Sequence, residues 1–535
     1  MEALRSQLHR SMDSLIWLNE NAFTTITKDG GLRQGMMDAL SERVPVQVLF
    51  IVVAFIGAAQ LASGTDPYFV AMMMIAVCAV GVTYNLLGGL RNFSGIVFAA
   101  FSARNLIISQ IAKVLFFEPA DQNLATPRLT ITIYAVFYVC AMLGVAAIGR
   151  LRIRLPKPLE PSTSGQTRSL YAISLVVGTI ATIGLATYQS TYGKDVQYTT
   201  ERNIDLALSS LLLFSLVLAI HARINKTNGA HSAGFAVYVP AALVVLSGFV
   251  DGTRTKILTP TIIWMLVCVI RKYRFRMKHY LAIGMGMIAF VGFISPLETY
   301  SRGLIADLSL KDRATLAFQI LANHHDPIEL WNIQRDIGGS GEKDSIESYY
   351  SLPGTYVLSR VSLIRADSNI IQACENGFHY GWEGVKIDLL ANIPSLLYKD
   401  KPMDDSNTLV GAVSGMSPEG DVKTAFSMIG DSFGGFGWLG VVIVPIIGIP
   451  IFFLVVDNVF DTKTAWGSVA LGMCLIGFGE WEVGKLIAET IRIPLFVVLL
   501  SYFSSWFVRL APDSIAPENN NETADLTRLL SSQQS

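Results

Sequence analysis

The sequence predicts an all-α, polytopic integral membrane protein with about twelve transmembrane helices and a large helical periplasmic loop. Of its 535 residues, 51% are hydrophobic and only 16% are charged, and the mean hydropathy is +0.45. A soluble protein of this composition would expose large apolar patches to water. Apolar runs recur along the chain, and short basic clusters separate many of them. The formal net charge of −1 gives no support to nucleic-acid binding.

A membrane span needs about 20 predominantly apolar residues, because the hydrocarbon layer is about 30 Å thick. Such runs begin near Val46, Tyr68, Phe93, Leu129, Leu170, Ile204, Ala233, Lys256, His279, Gly434, Ala465 and Glu489. Lys and Arg gather in the even-numbered loops, and such clusters favour the cytoplasmic side. With an even number of spans, both termini are expected in the cytoplasm of a bacterial inner membrane protein.

Five segments follow from this topology. Residues 1–44 carry charges throughout and predict a cytoplasmic amphipathic segment, not a secretory signal peptide. Residues 45–294 hold spans one to nine, and residues 424–510 hold spans ten to twelve. Residues 295–423 form a periplasmic loop of about 125 residues, too long to be structureless in a compact protein, so a folded cap is expected. Residues 511–535 are polar and predict a disordered cytoplasmic tail.

A short external turn in SGFVDGTRTKILTP contains Arg254, where positive charge is disfavoured. One interpretation is an arginine that reaches the membrane surface beside Asp251. The other is a phosphate site, because guanidinium is always charged and binds two phosphate oxygens at once. At the outer leaflet, a lipid diphosphate would be the natural ligand.

The stretch LSRVSLIRADSNIIQ places Arg360, Arg365 and Asp367 in one predicted helix of the external cap. Arg360 and Asp367 share a helix face, whereas Arg365 points about 140° away from Arg360. A solvated surface ion pair would account for this pattern. Alternatively, one arginine binds phosphate while the other binds a sugar or a structural carboxylate.

The stretch TAFSMIGDSFGGFGWLG, from Thr424 to Gly440, places Asp431 among five glycines at the start of an apolar run. Gly430 and Gly434 form a GxxxG pair, which lets helices approach closely. Close packing does not explain Asp431, because a carboxylate near hydrocarbon is costly unless it is paired or faces water. The glycines that follow Asp431 predict an interrupted helix, and an interrupted helix at that depth is tolerated beside a polar cavity.

Other polar groups favour structural interpretations. The acidic and basic side chains of GFGEWEVGKLIAETIRIP are spaced for mutual salt bridges, including one between Glu482 and Lys485. His324 and His325 have no further histidine at a supporting spacing, so no metal site and no cofactor are predicted. His379, in ENGFHYGWEG, is either a solvated loop residue or a proton carrier.

The order of these parts resembles the O-antigen polymerase family of bacteria, the oligosaccharide repeat-unit polymerases. The resemblance rests on the GTR turn, a large external loop after two more spans, the segment NIPSLLYKDKP, and GDSFGGFGWLG entering the next span. It covers roughly Leu246 to Ile451, about two-fifths of the chain. The chain departs from the family pattern in carrying Thr253 for Ser, Phe433 for Tyr, Gly435 for Asn and Ser395 for Arg.

The resemblance implies a metal-free enzyme that joins oligosaccharide units carried on undecaprenyl diphosphate at the periplasmic face. Its expected partners are these lipid-linked substrates, the membrane lipids and a chain-length regulator. Arg254 with Arg360 or Arg365 would offset the charge on the departing diphosphate. Asp431 would accept the proton of the attacking hydroxyl or orient the sugar, with His379 as an alternative base. Asp367, Gly430 and Gly434 would complete the substrate site.

Two other functions remain open from the sequence. A transporter or flippase is consistent with twelve spans, and Arg104 and Lys113 lie deep enough in the third apolar run to line a pathway. The charges at the external ends of the spans favour surface chemistry instead. A glycan ligase would share the fold and the leaving group of a polymerase.

Overall fold

The computed structural model describes residues 43–148, 151, 153, 155–159, 164–192, 200–251, 254–271, 273, 275, 277–290, 312, 315, 319, 349–351, 362–393, 398, 426–477 and 481–510. Within these ranges the chain is helical and contains no strand. The main helices, in chain order, are α1 Val46–Ala62, α2 Pro67–Leu86, α3 Phe93–Leu115, α4 Pro127–Ile148, α5 Ser164–Tyr192, α6 Thr200–Lys226, α7 Phe235–Asp251, α8 Arg254–Ile270, α9 Met277–Ala289, α10 Ile364–Glu375, α11 Trp382–Asn392, α12 Met428–Val459, α13 Ala465–Gly477 and α14 Val483–Leu510. The predicted all-α fold is confirmed.

Seven helices of the described chain are long and apolar enough to cross a membrane: α2, α3, α4, α12 and the apolar parts of α5, α6 and α14. Shorter apolar helices are α1, α13 and parts of α7 and α8. Large apolar side chains face outward from them; Phe55 on α1 is 68% exposed. Such a surface suits lipid and agrees with a multi-pass membrane protein. A helix lies at each of the twelve predicted runs, but twelve spans remain a prediction.

Helix α4 lies at the centre of the bundle and packs against α2 and α12. Its aromatic residues Tyr134, Phe137 and Tyr138 are fully buried. Gly144 faces the backbone of α12 so closely that a Cβ there would lie 2.4 Å from the Ile446 carbonyl oxygen. Only glycine permits this approach, which sets the spacing of α4 and α12.

An interhelical cap joins α3 to α12. The Ser94 backbone N–H and hydroxyl donate to the Asp457 carboxylate at 3.0 and 2.5 Å, across 363 residues of sequence. The first N–H groups of a helix lack partners within that helix. Asp457 therefore satisfies the start of α3, and its negative charge is favourable at a helix N-terminus.

Helix α12 is interrupted twice. Gly437 has φ 57° and ψ −144°, values that break the helix, and residues Val444–Gly448 form a π-helical segment containing Pro445. Proline has no N–H to donate within a helix, and π segments often accompany such local disruption. The predicted interruption is confirmed at Gly437, whereas Gly434 and Gly435 lie in regular helix.

A second group of helices, α5 to α8, packs against α13 through α6 and α8. The ring of Phe214 on α6 stacks on Trp466 of α13 at 3.8 Å between centroids. The Trp466 indole N–H donates to the Leu159 carbonyl at 3.0 Å, so its polar edge is satisfied although the side chain is buried. This contact attaches the connection before α5 to the C-terminal helices.

Most of the predicted cap, residues 295–423, lies outside the described residues. Its described part includes α10 and α11, so helices are present in this loop as expected. The prediction of one helix that carries both Arg360 and Asp367 is wrong, because α10 begins at Ile364 after the non-helical Ser362 and Leu363. Helix α10 packs on α12 and α4, and α11 packs on α14. The segment Tyr349–Ser351 contacts the loop that follows α3. The Ser351 N–H donates to Glu118 at 3.0 Å, and the Tyr349 hydroxyl donates to the Ala120 carbonyl at 2.6 Å. The location of this loop on the periplasmic side remains a prediction.

Candidate functional site

Two buried carboxylates from distant parts of the sequence lie close together beside the start of α12. Asp367 belongs to the first turn of α10, and Asp431 to the first turn of α12. Their relative exposures are 0% and 4%. Buried carboxylates require hydrogen-bond partners, because an unpaired one carries a large desolvation penalty. The partners therefore decide what each group can do.

Asp367 joins α10 to α4 and to the start of α12. It accepts hydrogen bonds from the Tyr134 hydroxyl at 2.5 Å, from the Ser427 N–H at 2.9 Å and from the Ser427 hydroxyl. Burial raises the pKa of the Asp367 carboxyl to about 7; its hydrogen bonds with Ser427 and Tyr134 oppose the rise, and the neighbouring Asp431 adds to it. Near neutral pH this group changes easily between acid and carboxylate.

Ser427 completes this junction as the N-cap of α12. Its hydroxyl oxygen accepts from the Ile429 N–H at 3.1 Å while the hydroxyl donates to Asp367. Serine is among the preferred residues at this position because its oxygen satisfies an otherwise unpaired N–H. A serine just before an apolar helical run is a signal that sequence reading can use.

Asp431 joins α12 to α14 and to the loop before α11. It accepts from the Tyr380 hydroxyl and from the Val483 N–H, the latter at 2.6 Å. The Val483 N–H lies at the start of α14, where a carboxylate is favourable. Both oxygens of Asp431 are therefore bound to the protein itself. This geometry favours a positioning role over direct contact with a substrate.

The GxxxG pair accommodates these partners. A Cβ on Gly430 would lie 2.5 Å from the Asp367 Oδ1, and one on Gly434 would lie 2.6 Å from the Tyr380 ring. Neither distance is possible for a real side chain without movement of its neighbour. The two glycines thus let α10 and the Tyr380 loop approach α12, consistent with the packing role of such pairs.

His379 is the exposed member of the same loop. Its ring lies 6.4 Å from the Phe433 ring, and the neighbouring Tyr380 N–H donates to the Gly434 carbonyl at 3.4 Å. The loop turns at Gly381, whose φ is 55°, a conformation that favours glycine. His379 is therefore held beside the Asp431 network while its side chain stays accessible.

The three predicted phosphate-binding arginines are described unequally. Arg254 begins α8, with its side chain outside the described part, and Arg360 lies outside the described residues altogether. Arg365 is half-buried on α10, two residues before Asp367, and near enough to Lys113 for their like charges to interact. The structure thus places one of the three arginines on the helix that carries Asp367, with its charge near Lys113.

Lys113, which the sequence placed deep in the third apolar run, is fully buried and ion-paired. Its ammonium lies 2.9 Å from Glu118 and 4.4 Å from the centroid of the Tyr349 ring. Burial of both charges is tolerated because the pair is hydrogen-bonded and Glu118 also accepts from Ser351. Tyr349 carries no sequence signal for this contact, since its partners lie more than 200 residues away.

The salt bridge predicted between Glu482 and Lys485 is present at the start of α14. Lys485 pairs with Glu482 at 2.7 Å, and Arg492 pairs with Glu489. Among the described residues, no group of three or more His, Cys, Asp or Glu side chains is arranged to hold a metal ion. His324 and His325 lie outside those residues.

Comparison of the chain with protein-family models, curated proteins and solved structures finds no match.

Proposed function

We propose that this protein polymerises oligosaccharide units carried on undecaprenyl diphosphate into a surface polysaccharide. The proposal includes twelve spans, a periplasmic loop, a bacterial inner membrane location and cytoplasmic termini. The observation that supports it is a contact of the segment GDSFGGFGWLG, which carries part of the family resemblance: its Gly430 lies against Asp367 of the external-loop segment RADSNIIQ, about 60 residues earlier. A segment that resembles the family thus lies against a helix of the loop in which candidate substrate-binding residues are expected.

The proposed reaction needs a base and a stabiliser of the leaving group. The acceptor hydroxyl oxygen attacks the anomeric carbon of the donor sugar and forms the new glycosidic bond. The bond from that carbon to the lipid diphosphate oxygen breaks, and the electron pair leaves with the diphosphate. A base takes the hydroxyl proton, while arginine side chains offset the charge on the diphosphate.

His379 is the better-placed base in this proposal, because its side chain is exposed whereas Asp431 is buried and bound to Tyr380 and Val483. Asp431 is then a positioning residue that holds the Tyr380 loop and thereby His379. Arg365, which lies on the same helix as Asp367, is one candidate for binding diphosphate, and Arg254 and Arg360 are the others.

The test uses purified protein in vesicles supplied with undecaprenyl diphosphate oligosaccharide. We expect release of lipid diphosphate and a ladder of longer glycans. His379→Gln should slow chain growth by about 10²- to 10⁴-fold, the usual contribution of a general base. Asp431→Asn should retain most of the activity, because an amide can still accept from the Val483 N–H and donate to the Tyr380 oxygen.

Lys386→Ala is the matched control, since it removes an exposed charge on α11 that lies 3.5 Å from Glu383. Full activity in His379→Gln together with loss in Asp431→Asn would reverse the two roles. Arg254→Ala should fold normally and fail to extend chains. The absence of a ladder from every repeat unit offered would reject polymerisation.

A transporter or flippase is the second candidate, supported by the fully buried Lys113 within α3. Charged residues inside candidate spans often mark ion or substrate pathways. Movement of the lipid-linked unit across sealed vesicles without glycan extension would favour this function. Transfer of the glycan to a different acceptor, without chain extension, would instead identify a ligase.

A further inference from the structure

Helix α3 carries a row of polar side chains inside the bundle. Ser102, Asn105, Ser109, Gln110 and Lys113 are all fully buried. The row passes through residues Ala103–Ile107, which form a π-helical segment. Such segments widen one helical turn and occur frequently at functional sites.

Three members of the row have side-chain partners within the protein: Ser109, Lys113 and, through its Nε2 at 3.5 Å from the Ser109 oxygen, Gln110. The Ser109 hydroxyl donates to the Leu106 carbonyl at 2.6 Å, and Lys113 pairs with Glu118 at 2.9 Å. In contrast, neither the oxygen nor the nitrogen of the Asn105 amide has a hydrogen-bond partner among the described residues. The same holds for the Ser102 hydroxyl and for the Gln110 Oε1.

A further hydroxyl from α4 faces the same place. Tyr138 is fully buried, its ring lies 6.2 Å from the Phe101 ring, and its phenol lies beside the Ser102 hydroxyl outside the geometry of a direct hydrogen bond. Asn105 follows Ser102 by three residues, a spacing that makes neighbours on a helix surface. Ser102, Asn105 and Tyr138 therefore form one cluster at the α3–α4 contact.

The free-energy cost of burying these polar groups without hydrogen-bond partners points to a ligand. An unpartnered buried amide loses its hydrogen bonds to water and gains none in return, and low dielectric surroundings increase that penalty. In a membrane-embedded bundle, lipid supplies no substitute partner. A buried polar cluster that lacks internal partners is commonly completed by bound water or by a ligand.

The chemistry of the cluster defines the ligand class. Ser102, Asn105 and Tyr138 are uncharged, so an anion would find no countercharge there. The Asn105 Nδ2 offers only donor hydrogens, which a metal cation cannot use. A hydroxyl both donates and accepts, and it matches the amide and the two hydroxyl side chains.

We propose that Ser102, Asn105 and Tyr138 form a buried site for a neutral hydroxyl-bearing ligand. The ligand is either ordered water or a sugar hydroxyl, and both sources make the same hydrogen bonds. The Gln110 Oε1 extends the site along α3 towards the Lys113 pair. This site is independent of the proposed glycan transfer, because it is inferred only from the residues at the contact between α3 and α4.

The first test is radiolytic hydroxyl labelling of the full-length protein, with mass spectrometry of Tyr138. Bound water beside this phenol should make Tyr138 labelled at least severalfold more than Phe214, which is equally buried but stacked on Trp466 in apolar surroundings. If lipid-linked oligosaccharide then protects Tyr138, the sugar displaces that water and occupies the site. Labelling that persists with oligosaccharide present identifies water as the resident ligand.

The second test replaces Asn105 by leucine, which has a similar volume and no hydrogen-bonding group. A ligand-bound Asn105 predicts that Asn105→Leu lowers the melting temperature by about 2 °C or more. Ser109→Ala is the control, because Ser109 bonds only within its own helix and should change the melting temperature less. An unlabelled Tyr138 together with a higher melting temperature for Asn105→Leu would overturn the proposal, since an orphan amide gains from replacement by an apolar side chain.

Discussion

Replacing Asp367 by asparagine should remove a pH dependence of stability that the buried carboxyl imposes on the protein. Asparagine has nearly the same shape, and its oxygen can accept from the Ser427 N–H as the carboxyl does at 2.9 Å. Its amide nitrogen can donate to the oxygens of Tyr134 and Ser427, which at present donate to the carboxyl. The substitution therefore preserves the contacts and deletes the ionisation.

The magnitude follows from the shift in pKa from 3.8 to about 7. Between these values the folded state holds a proton that the unfolded state has released, so the folded state binds more protons. The free energy of unfolding then falls as pH rises, and the loss is complete above pH 7. At about 1.36 kcal/mol for each pH unit, the wild-type protein should lose about 4 kcal/mol between pH 4 and pH 7.

The assay is unfolding in mixed detergent micelles from pH 4 to pH 8.5, with wild type and Asp367→Asn in parallel. The two proteins should have similar stability near pH 4, and the variant should be the more stable at pH 8. Asp66→Asn provides the control: a hydrogen bond from Arg128 lowers the pKa of Asp66, so this half-buried residue does not contribute a slope of that sign.

An equal slope in Asp367→Asn and wild type would show that the slope arises elsewhere. A variant less stable than wild type at pH 8 would show that the ionised carboxylate is the favourable form, contrary to the effect of burial.

Three other substitutions test packing and charge, each by the same unfolding assay. Gly430→Ala should lower the free energy of unfolding by about 1–3 kcal/mol through overpacking against Asp367, whereas Gly284→Ala, with no atom within 4 Å of its added Cβ, should be neutral or stabilising; equal effects would contradict the close contact. Gly437→Ala should lower the free energy of unfolding by about 1–2 kcal/mol because of the positive φ of Gly437. The loss should exceed that of Gly435→Ala, whose added Cβ would lie 3.6 Å from its nearest atom. A larger loss for Gly435→Ala would show that backbone strain is not the cause. Lys113→Met should lower the free energy of unfolding by about 3–5 kcal/mol, because it removes the cation that pairs with the buried Glu118 carboxylate. Adding Glu118→Gln should recover part of the loss; no recovery would assign the cost to packing.

Local patterns in the sequence predicted much of the fold. Apolar runs marked the helices because a span has to bury or present an uninterrupted apolar length, and this requirement does not depend on distant residues. The break at Gly437 and the pairing of Lys485 with Glu482 also follow from local chemistry. The number of helices that cross the membrane is a less local property, since length and burial vary from helix to helix.

The candidate site was predicted less completely, for a physical reason. Asp367 meets Tyr134 across 233 residues and Ser427 across 60 residues. No spacing rule within one helix selects partners at such separations, and a tyrosine within an apolar run resembles any other aromatic core residue. Asp431 was expected to pack or to face a substrate. The sequence could not predict that both of its carboxylate oxygens accept hydrogen bonds, because the donors Tyr380 and Val483 lie about 50 residues away on either side.

The cap formed by Asp457 on Ser94 has a consequence for biosynthesis. The partner of the α3 N-terminus is made 363 residues after it, which at 5–20 residues per second takes roughly 20 to 70 s. During that interval the start of α3 has to be satisfied by water or by the insertion machinery. The N-terminal helices can therefore enter the membrane early but complete their packing only when α12 arrives, so truncation before Asp457 should yield inserted yet protease-sensitive chains.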